Sequence, residues 1–259
     1  MHILERTLIT KSGYDNGWEV VAEDTSARVV LASALHRARV IIAGEKEPGA
    51  DWNVRFDQAS LTREVGRTVG IPMTGTDHYV ARGDHELGGL LREAARLARA
   101  LPDAPERRYA QAVAKALATD AIVQTEVKRM VTQRIGQDVF RDSLMDYWGG
   151  ACAVTGIAIP ELLRASHTKP WTDCSSDAER LNVFNGFLLV AHLDALYDRH
   201  LMTFDESGEA RFAAQIDGST RVKLGLSSAL HLRWVCSEHQ EFLGQHREAF
   251  RRANPNISV

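Results

Sequence analysis

The sequence predicts an α+β protein with an N-terminal domain of mixed α and β structure, a helical connector, and a C-terminal domain built on two strands and a helix. Three observations support this. Short β-branched runs and turns alternate in residues 1–57, helical periodicity begins at Glu86, and two apolar runs flank a polar loop near residue 170. We place the boundary near residues 120–135, which gives domains of residues 1–120 and 121–259.

Composition indicates the class of protein. The chain has 259 residues, of which 44% are hydrophobic and 25% charged, and a net charge of -3, which is typical of a soluble globular protein. The sequence has no apolar run of the ~20 residues that a membrane helix needs and no signal-peptide pattern at its start. Three cysteines without a CxxC pair favour neither a disulfide framework nor a zinc ribbon. We therefore expect a cytoplasmic protein with reduced thiols and no membrane partner.

The N-terminal part predicts short strands and turns. Residues 28–35 and 38–43 are rich in β-branched side chains, although the first run fits a helix equally well. Turn signals occupy residues 13–17 and 45–49. Residues 58–83 are ambiguous: several glycines interrupt this loop-like region, and its one proline excludes a long helix there.

Aromatic side chains in this part are candidates for recognising a base. They are Trp18, Trp52, His78 and Tyr79. Each tryptophan follows a turn signal, where an exposed ring can stack on a base. The alternative is packing in the core or at an edge, which is the more common role of such rings.

Helical periodicity dominates from Glu86 to residue 148. We predict helices at residues 86–100, 106–118, 121–135 and 137–148, with Gly136 as a stop between the last two. Three arginines share one face of the first helix, and two basic residues lie in the third: Arg92, Arg96, Arg99, Lys128 and Arg129. These side chains fit either a solvated helix surface or a stripe that contacts DNA phosphates.

The central segment carries the candidate chemistry. His167 ends an apolar run, a polar loop follows, and Asn185 precedes a second apolar run. A neutral imidazole can act as a general base toward water. An asparagine can orient that imidazole by hydrogen bonding to the backbone or to the ring. Arg164 and Lys169 lie close in sequence and are candidates for binding phosphate.

A helix with metal-binding residue types follows the second run. It contains His192, Asp194 and Asp198, and the two aspartates are four apart and share a face. Such donors predict one divalent metal ion: the oxygens suit Mg or Mn, and the imidazole also allows Zn or Ni. The alternative is that these are ordinary polar residues of an αβ domain. Beyond this helix, residues 201–213 predict a hairpin, and residues 227–236 and 238–252 predict closing helices.

Between about residues 133 and 205 the sequence resembles the HNH endonuclease family, in the subgroup of bacterial restriction-type nucleases. The resemblance rests on residues 136–141, 152–156, 165–171 and 185–198. It implies a ββα-metal fold, one divalent ion and hydrolysis of a phosphodiester bond in double-stranded DNA. It also implies that His167 is the general base, that Asn185 orients it, and that the helix supplies metal ligands.

The chain departs from the family pattern at two positions. Ser166 stands before the histidine, where many members have a metal-binding aspartate, and Asp194 stands where many have histidine. We therefore rank His192 and Asp194 above Asp198 as ligands, with Ser166 completing the set. Many relatives also have a zinc-binding cysteine set, whereas Cys152 and Cys174 here predict a buried thiol and a loop residue.

Three functions fit the sequence. The first is a metal-dependent DNA endonuclease of restriction or defence type, with an N-terminal domain that recognises the target. The second is a nuclease effector gated by a ligand, and the third is a catalytically lapsed DNA-binding module. Because one ββα site cuts one strand, a double-strand cut favours a homodimer.

Overall fold

The computed structural model describes residues 1–44, 51–75, 77–119, 125–226 and 229–256. The chain forms two compact units, Met1–Ala104 and Pro105–Val259. The division lies before the expected limit at residue 120, so the second predicted helix, residues 106–118, belongs to the C-terminal unit. The expected mixture of helices and strands is present in both units.

In its described residues, the N-terminal unit contains a six-stranded antiparallel sheet and three helices. The helices are α1 (Ile3–Asp15), α2 (Ala59–Thr68) and α3 (Gly83–Ala100), and the strands are β1 (Val20–Asp24), β2 (Val29–Ala32), β3 (Val40–Gly44), β4 (Asp51–Phe56), β5 (Met73–Thr74) and β6 (His78–Arg82). The strand order is β1-β2-β3-β4-β6-β5. Alternate strand residues are fully buried, among them Leu31, Ile42 and Val54, which creates one core face that packs against the helices.

Some elements of this unit differ from the prediction. Residues 38–43 contain a strand, as expected, and residues 28–35, which fitted a strand or a helix equally well, also contain a strand. Helix α1 was not predicted, because its apolar residues Ile3, Leu4 and Leu8 are exposed and form no buried stripe. Residues 58–83, which were ambiguous and loop-like in sequence, contain α2, β5 and β6, since tertiary packing outweighs the glycines. The turn predicted at residues 45–49 lies outside the described residues.

The C-terminal unit is built on a helical lead-in and two small antiparallel sheets. Its helices are α4 (Ala104–Thr119), α5 (Thr125–Tyr147), α6 (Asp177–Arg180), α7 (Ala191–Asp198), α8 (Gly218–Lys223) and α9 (Ser237–Ala253). Strands β7 (Leu163–His167) and β8 (Gly186–Val190) form one sheet, and β9 (Met202–Phe204) and β10 (Ala210–Phe212) the other. The hairpin at residues 201–213 is confirmed. Among the helices that the structure describes, none is long and apolar enough to cross a membrane.

Two predictions for this unit were wrong. The chain is not helical at residues 229–236, where backbone pairing between His231 and Glu209 forms an isolated bridge. Gly136 does not end a helix, because α5 continues through it to Tyr147. A side chain at Gly136 would overlap the indole of Trp171. The glycine therefore provides space for a tryptophan rather than a helix stop.

Candidate active site

The candidate site lies where β7, β8 and α7 meet. Strands β7 and β8 pair in antiparallel register from Leu163 with Val190 to His167 with Gly186. Helix α7 begins directly after β8. A Cβ atom at Gly186 would overlap the carbonyl oxygen of Ser166 and the ring of Phe140, so only glycine fits at this crossing. The arrangement places the end of β7 beside the start of β8.

His167 is held as a neutral imidazole. Its ring stacks on Phe140 with centroids 3.7 Å apart and meets the edge of Trp171 at 5.7 Å. Although the residue keeps part of its surface in solvent, burial of the ring lowers the pKa of His167 to about 4. Its Nε2 lies 2.9 Å from the carbonyl oxygen of Arg180. Because a carbonyl only accepts, Nε2 carries the proton and the lone pair of the neutral ring is on Nδ1.

Asn185 is fully buried and holds both ends of the loop after β7. Its Oδ1 accepts a hydrogen bond from the Lys169 amide at 2.7 Å, and its Nδ2 donates to the carbonyls of Lys169 and Glu179 at 3.3 and 3.2 Å. Glu179 immediately precedes Arg180, whose carbonyl binds the imidazole. These contacts favour orientation of His167 through the backbone over orientation through its ring.

Arg180 is a site residue that the sequence did not reveal. Its guanidinium donates to the carbonyls of Trp171 and Cys174 at 3.2 and 2.7 Å and to the Asp177 carboxylate at 2.9 Å. These bonds tie Arg180 to earlier residues of the same loop and so hold in place its carbonyl, which accepts the hydrogen bond from His167. An arginine in a polar loop has no sequence signal for this role. Phe140 was also missed, although it lies in the segment 136–141 on which the resemblance partly rested.

The candidate metal ligands divide into two groups. Ser166 donates its hydroxyl hydrogen to Asp194 Oδ1 at 2.5 Å, and Asp198 follows Asp194 by one helical turn. His192 is exposed and precedes Asp194 by two residues, which places it roughly 200° around the helix. Our ranking of His192 above Asp198 is therefore not supported by the geometry of α7. In the described ranges, no three His, Cys, Asp or Glu side chains lie close enough together to hold a metal ion.

The remaining donors fit a hard cation with a partly aqueous shell. Burial of the carboxyl group, followed by the charge of Asp194, raises the pKa of Asp198 to about 6. A cation would relieve this repulsion. Two carboxylates and a hydroxyl suit Mg or Mn, which bind through one or two carboxylates and keep several waters. They do not suit Zn, which takes three or four close protein ligands, mainly N and S donors.

The side chains of two phosphate-binding candidates in this unit form contacts with other residues of the protein. Lys169 forms an ion pair with Glu179, at 2.5 Å between Nζ and Oε1. Arg164 is exposed, and its NH1 donates to the carbonyls of Glu161 and Leu163, both at 2.9 Å. Lys128 and Arg129 lie exposed on α5. Cys152 is a buried free thiol, as predicted, and Cys174 lies in the loop after β7, as predicted, where it is also buried.

Three of the four aromatic candidates in the N-terminal unit are core residues. Trp18 donates through Nε1 to the carbonyl of Leu91 at 2.8 Å, Tyr79 donates to the carbonyl of Thr62 at 2.5 Å, and Trp52 is also buried. The base-stacking interpretation fails for them, because their rings are not accessible. His78 is half-buried at the rim of a surface cavity.

The arginine stripe on α3 also makes internal contacts. Arg96 forms an ion pair with Glu93, at 2.6 Å between NH2 and Oε2. Arg92 donates from Nε to Asn16 Oδ1 at 3.1 Å. Arg99 is half-buried, whereas Arg92 is exposed. The solvated helix surface accounts for these contacts without DNA.

Within residues 163–198 the fold and the candidate site form one arrangement. Two antiparallel strands, a histidine ending the first, an asparagine before the second and a helix with carboxylates form the expected ββα arrangement. Comparison with protein families then identifies it: residues 152–205 match the model described as HNH endonuclease. This segment is assigned to the HNH endonuclease family, which confirms the resemblance and supports nuclease activity. No curated protein gives a significant match to the chain.

Proposed function

We propose that the protein is a metal-dependent DNA endonuclease of restriction or defence type whose N-terminal unit recognises the target. The observation that carries the proposal is the imidazole of His167. Its pKa near 4 keeps it neutral at physiological pH, and the Arg180 carbonyl fixes its tautomer. It lies within the segment that matches the HNH endonuclease family.

In this mechanism His167 removes a proton from the attacking water. Nδ1 accepts that proton, while the hydrogen bond from Nε2–H to the Arg180 carbonyl keeps the ring in place and stabilises the imidazolium as it forms. Asn185 holds the loop that carries this carbonyl. Phe140 covers one face of the ring and so restricts its rotation.

The residues that would hold a metal ion are Asp194, Asp198 and Ser166. A bound Mg or Mn ion would stabilise the leaving oxygen and the charge developing at phosphorus. Ser166 contributes no charge, so the two aspartates supply the negative charge that a cation needs. The hydroxyl of Ser166 fixes the carboxylate of Asp194 in its present direction.

Plasmid cleavage tests the proposal. Full-length protein is expected to cut supercoiled DNA with Mg or Mn and not with a chelator, and His167→Ala is expected to reduce the rate by ~10²–10⁴-fold. His231→Ala is the matched control, because His231 is exposed and lies outside the site. Unchanged cleavage by His167→Ala would overturn the mechanism, and DNA binding without cleavage under every metal would favour the lapsed module.

Target choice and assembly are further parts of the proposal. We expect the protein to discriminate between unmodified, methylated and hydroxymethylated plasmids, and a homodimer to cut both strands. Linear product without accumulation of nicked circles would support paired sites. Equal cleavage of all three plasmids would rule out the proposed role of the N-terminal unit in recognising a base modification.

A cavity in the N-terminal unit favours the ligand-gated effector as a second candidate. It has a volume of about 480 Å³ and is lined by α1 and α3, including Lys11, His85 and Arg92. This volume is within the range of small-molecule sites. Cleavage by purified protein without any added ligand would exclude gating.

A further inference from the structure

The sheet of the N-terminal unit has a second face, formed by the residues between those of the core. We define the outer face by Val30, Ile41, Ala43, Asn53, Arg55, His78 and Val80. The register aligns these residues across strands: Val30 pairs with Ile41, Ile41 with Arg55, and Arg55 with His78. A second row runs from Ala43 to Asn53 and Val80. Their neighbours Val29, Ile42, Val54 and Tyr79 point into the core.

The outer face contains a cavity with nitrogen donors around an apolar floor. Its volume is about 310 Å³, and it is lined by Arg28, Ile41, Ala43, Asn53, Arg55 and His78. All of these residues belong to the sheet or directly precede it. A second cavity of about 310 Å³ lies further along β6 and includes Val80 and Arg82. The first cavity is at the lower end of the size range for ligand sites.

Neighbouring carboxylates hold the two arginines at the rim. Arg28 donates two hydrogen bonds to Glu23, at 2.9 and 2.8 Å. Arg55 pairs with Asp77 at 2.9 Å, and the same carboxylate lies 3.1 Å from Nδ1 of His78. The side chains of Arg28 and Arg55 are 52% and 55% exposed. Since a guanidinium has five donors in one plane, each arginine keeps donors beyond those that fix its position.

We propose that this cavity binds a nucleotide, with its phosphate at Arg28 and Arg55 and its base over Ile41 and Ala43. The arginines match a phosphate in charge and in bidentate geometry. The apolar floor suits the face of a base, and the polar side chain of Asn53 lines the same cavity. The inference rests on the proposed function and assigns target recognition to this face. A DNA strand and a free nucleotide share this chemistry, so the experiment separates them.

The experiment measures binding by fluorescence anisotropy with full-length protein and EDTA. The probes are a labelled 20-mer as single strand and as duplex, and a labelled AMP. The test variant is Arg28→Gln/Arg55→Gln. The control is Arg37→Gln/Arg39→Gln, which removes the same charge from exposed residues outside the cavity. We expect the test variant to weaken binding about tenfold or more, and the control variant to stay within about twofold of wild type.

The salt dependence provides a second readout. Loss of two phosphate contacts is expected to lower the slope of log Kd against log salt concentration by ~2 for duplex DNA. Circular dichroism checks that the variants are folded. We expect them to be, because exposed ion pairs of this kind contribute no more than ~1 kcal/mol each to the free energy of unfolding. Ala43→Glu tests the same cavity independently, because it places a carboxylate on the floor.

Each outcome decides the proposal. Weaker binding of the oligonucleotides supports a DNA strand as the occupant, and weaker binding of AMP alone supports a free nucleotide. Binding that is unchanged in both site variants, or absent for all probes in wild type, would overturn the inference. Cleavage by wild type and by His167→Ala is measured in parallel. If cleavage depends on His167 while the site variants bind normally, the proposed function stands and only this site is rejected.

Discussion

At the scale of single residues, the position of one proton determines what His167 can do. The sequence indicated a histidine and an asparagine as partners, but the hydrogen bond that fixes the tautomer is donated by the ring to a backbone carbonyl. Residue types alone do not show which backbone carbonyl a side chain will contact. The role of Asn185 therefore becomes specific only when its three contacts to the loop backbone are known.

Asn185→Ala is expected to impair both stability and cleavage. The substitution leaves an amide and two carbonyls of the loop without their partner, which should lower the free energy of unfolding by about 3 kcal/mol. Urea unfolding and plasmid cleavage measure the two effects. Asn182→Ala is the control, since the Asn182 side chain caps the following turn by accepting from the Phe184 amide, and its loss should cost ~1 kcal/mol. Equal effects of both variants would contradict the role of Asn185.

His36 makes the stability of the N-terminal unit dependent on pH. Burial, with a smaller effect of the Arg99 charge, lowers its pKa to about 4, whereas an unfolded histidine titrates near 6.5. Between these values only the unfolded state takes up the proton, so stability decreases as the pH falls from about 6.5 to 4. Between pH 7 and pH 5 the loss should be about 2 kcal/mol.

Urea unfolding of wild type and His36→Leu at both pH values measures this contribution. The ring of His36 packs edge-on against Trp18 with centroids 4.6 Å apart, and leucine fills a similar volume. The variant is expected to lose about 2 kcal/mol less than wild type over the same interval. Parallel losses in both proteins would show that His36 is not the group responsible.

At the scale of elements, α5 shows how a tertiary contact determines the meaning of a glycine. Gly136 looks like a helix stop in sequence, yet it lies in the middle of a helix of 23 residues. The indole of Trp171 occupies the space beside it, and the same indole meets His167. Helix α5 therefore contributes to the candidate site through Gly136 and Phe140, although it lies outside the matched segment 152–205.

Gly136→Ala is expected to destabilise the protein although alanine is the better helix former. The new methyl group must displace Trp171, which should outweigh the ~1 kcal/mol gained in helix propensity. Gly244→Ala in α9 is the matched control, because the nearest atom to its Cβ is the end of the Arg247 side chain at 3.9 Å. Thermal unfolding should show a lower Tm for the first variant and an equal or higher Tm for the second. A rise for both would contradict the packing.

At the scale of the whole molecule, the division into Met1–Ala104 and Pro105–Val259 indicates which residues a fragment must include to form the complete C-terminal unit. Helix α4 belongs with the C-terminal unit, since Arg108 donates to the hydroxyl of the buried Ser143 on α5 at 2.7 Å. Composition gave no such signal, because α4 and α3 are both rich in alanine and arginine.

Fragments test this division. Residues 105–259 are expected to unfold cooperatively and to cleave plasmid DNA, whereas residues 121–259 should have a lower Tm because they lack α4 and its hydrogen bond to Ser143. Thermal unfolding and cleavage assays compare the two. If the shorter fragment were equally stable and active, α4 would not be part of the nuclease unit.

The sequence by itself determined the ββα segment, because strand, loop, strand and helix follow one another locally and their residue types are distinctive. It also predicted β3, the β9–β10 hairpin, α3 and α9, whose apolar patterns match their burial. It missed α1, whose apolar residues are exposed, and the elements within residues 58–83.

Only the tertiary structure decided which side chains meet. It paired Ser166 with Asp194, buried Trp18, Trp52 and Tyr79, and supplied the Arg180 carbonyl to His167. Each of these outcomes depends on distances between segments far apart in the chain. A sequence pattern reports the periodicity of one segment, whereas the direction of a side chain and the partner of a backbone carbonyl are set by how segments pack.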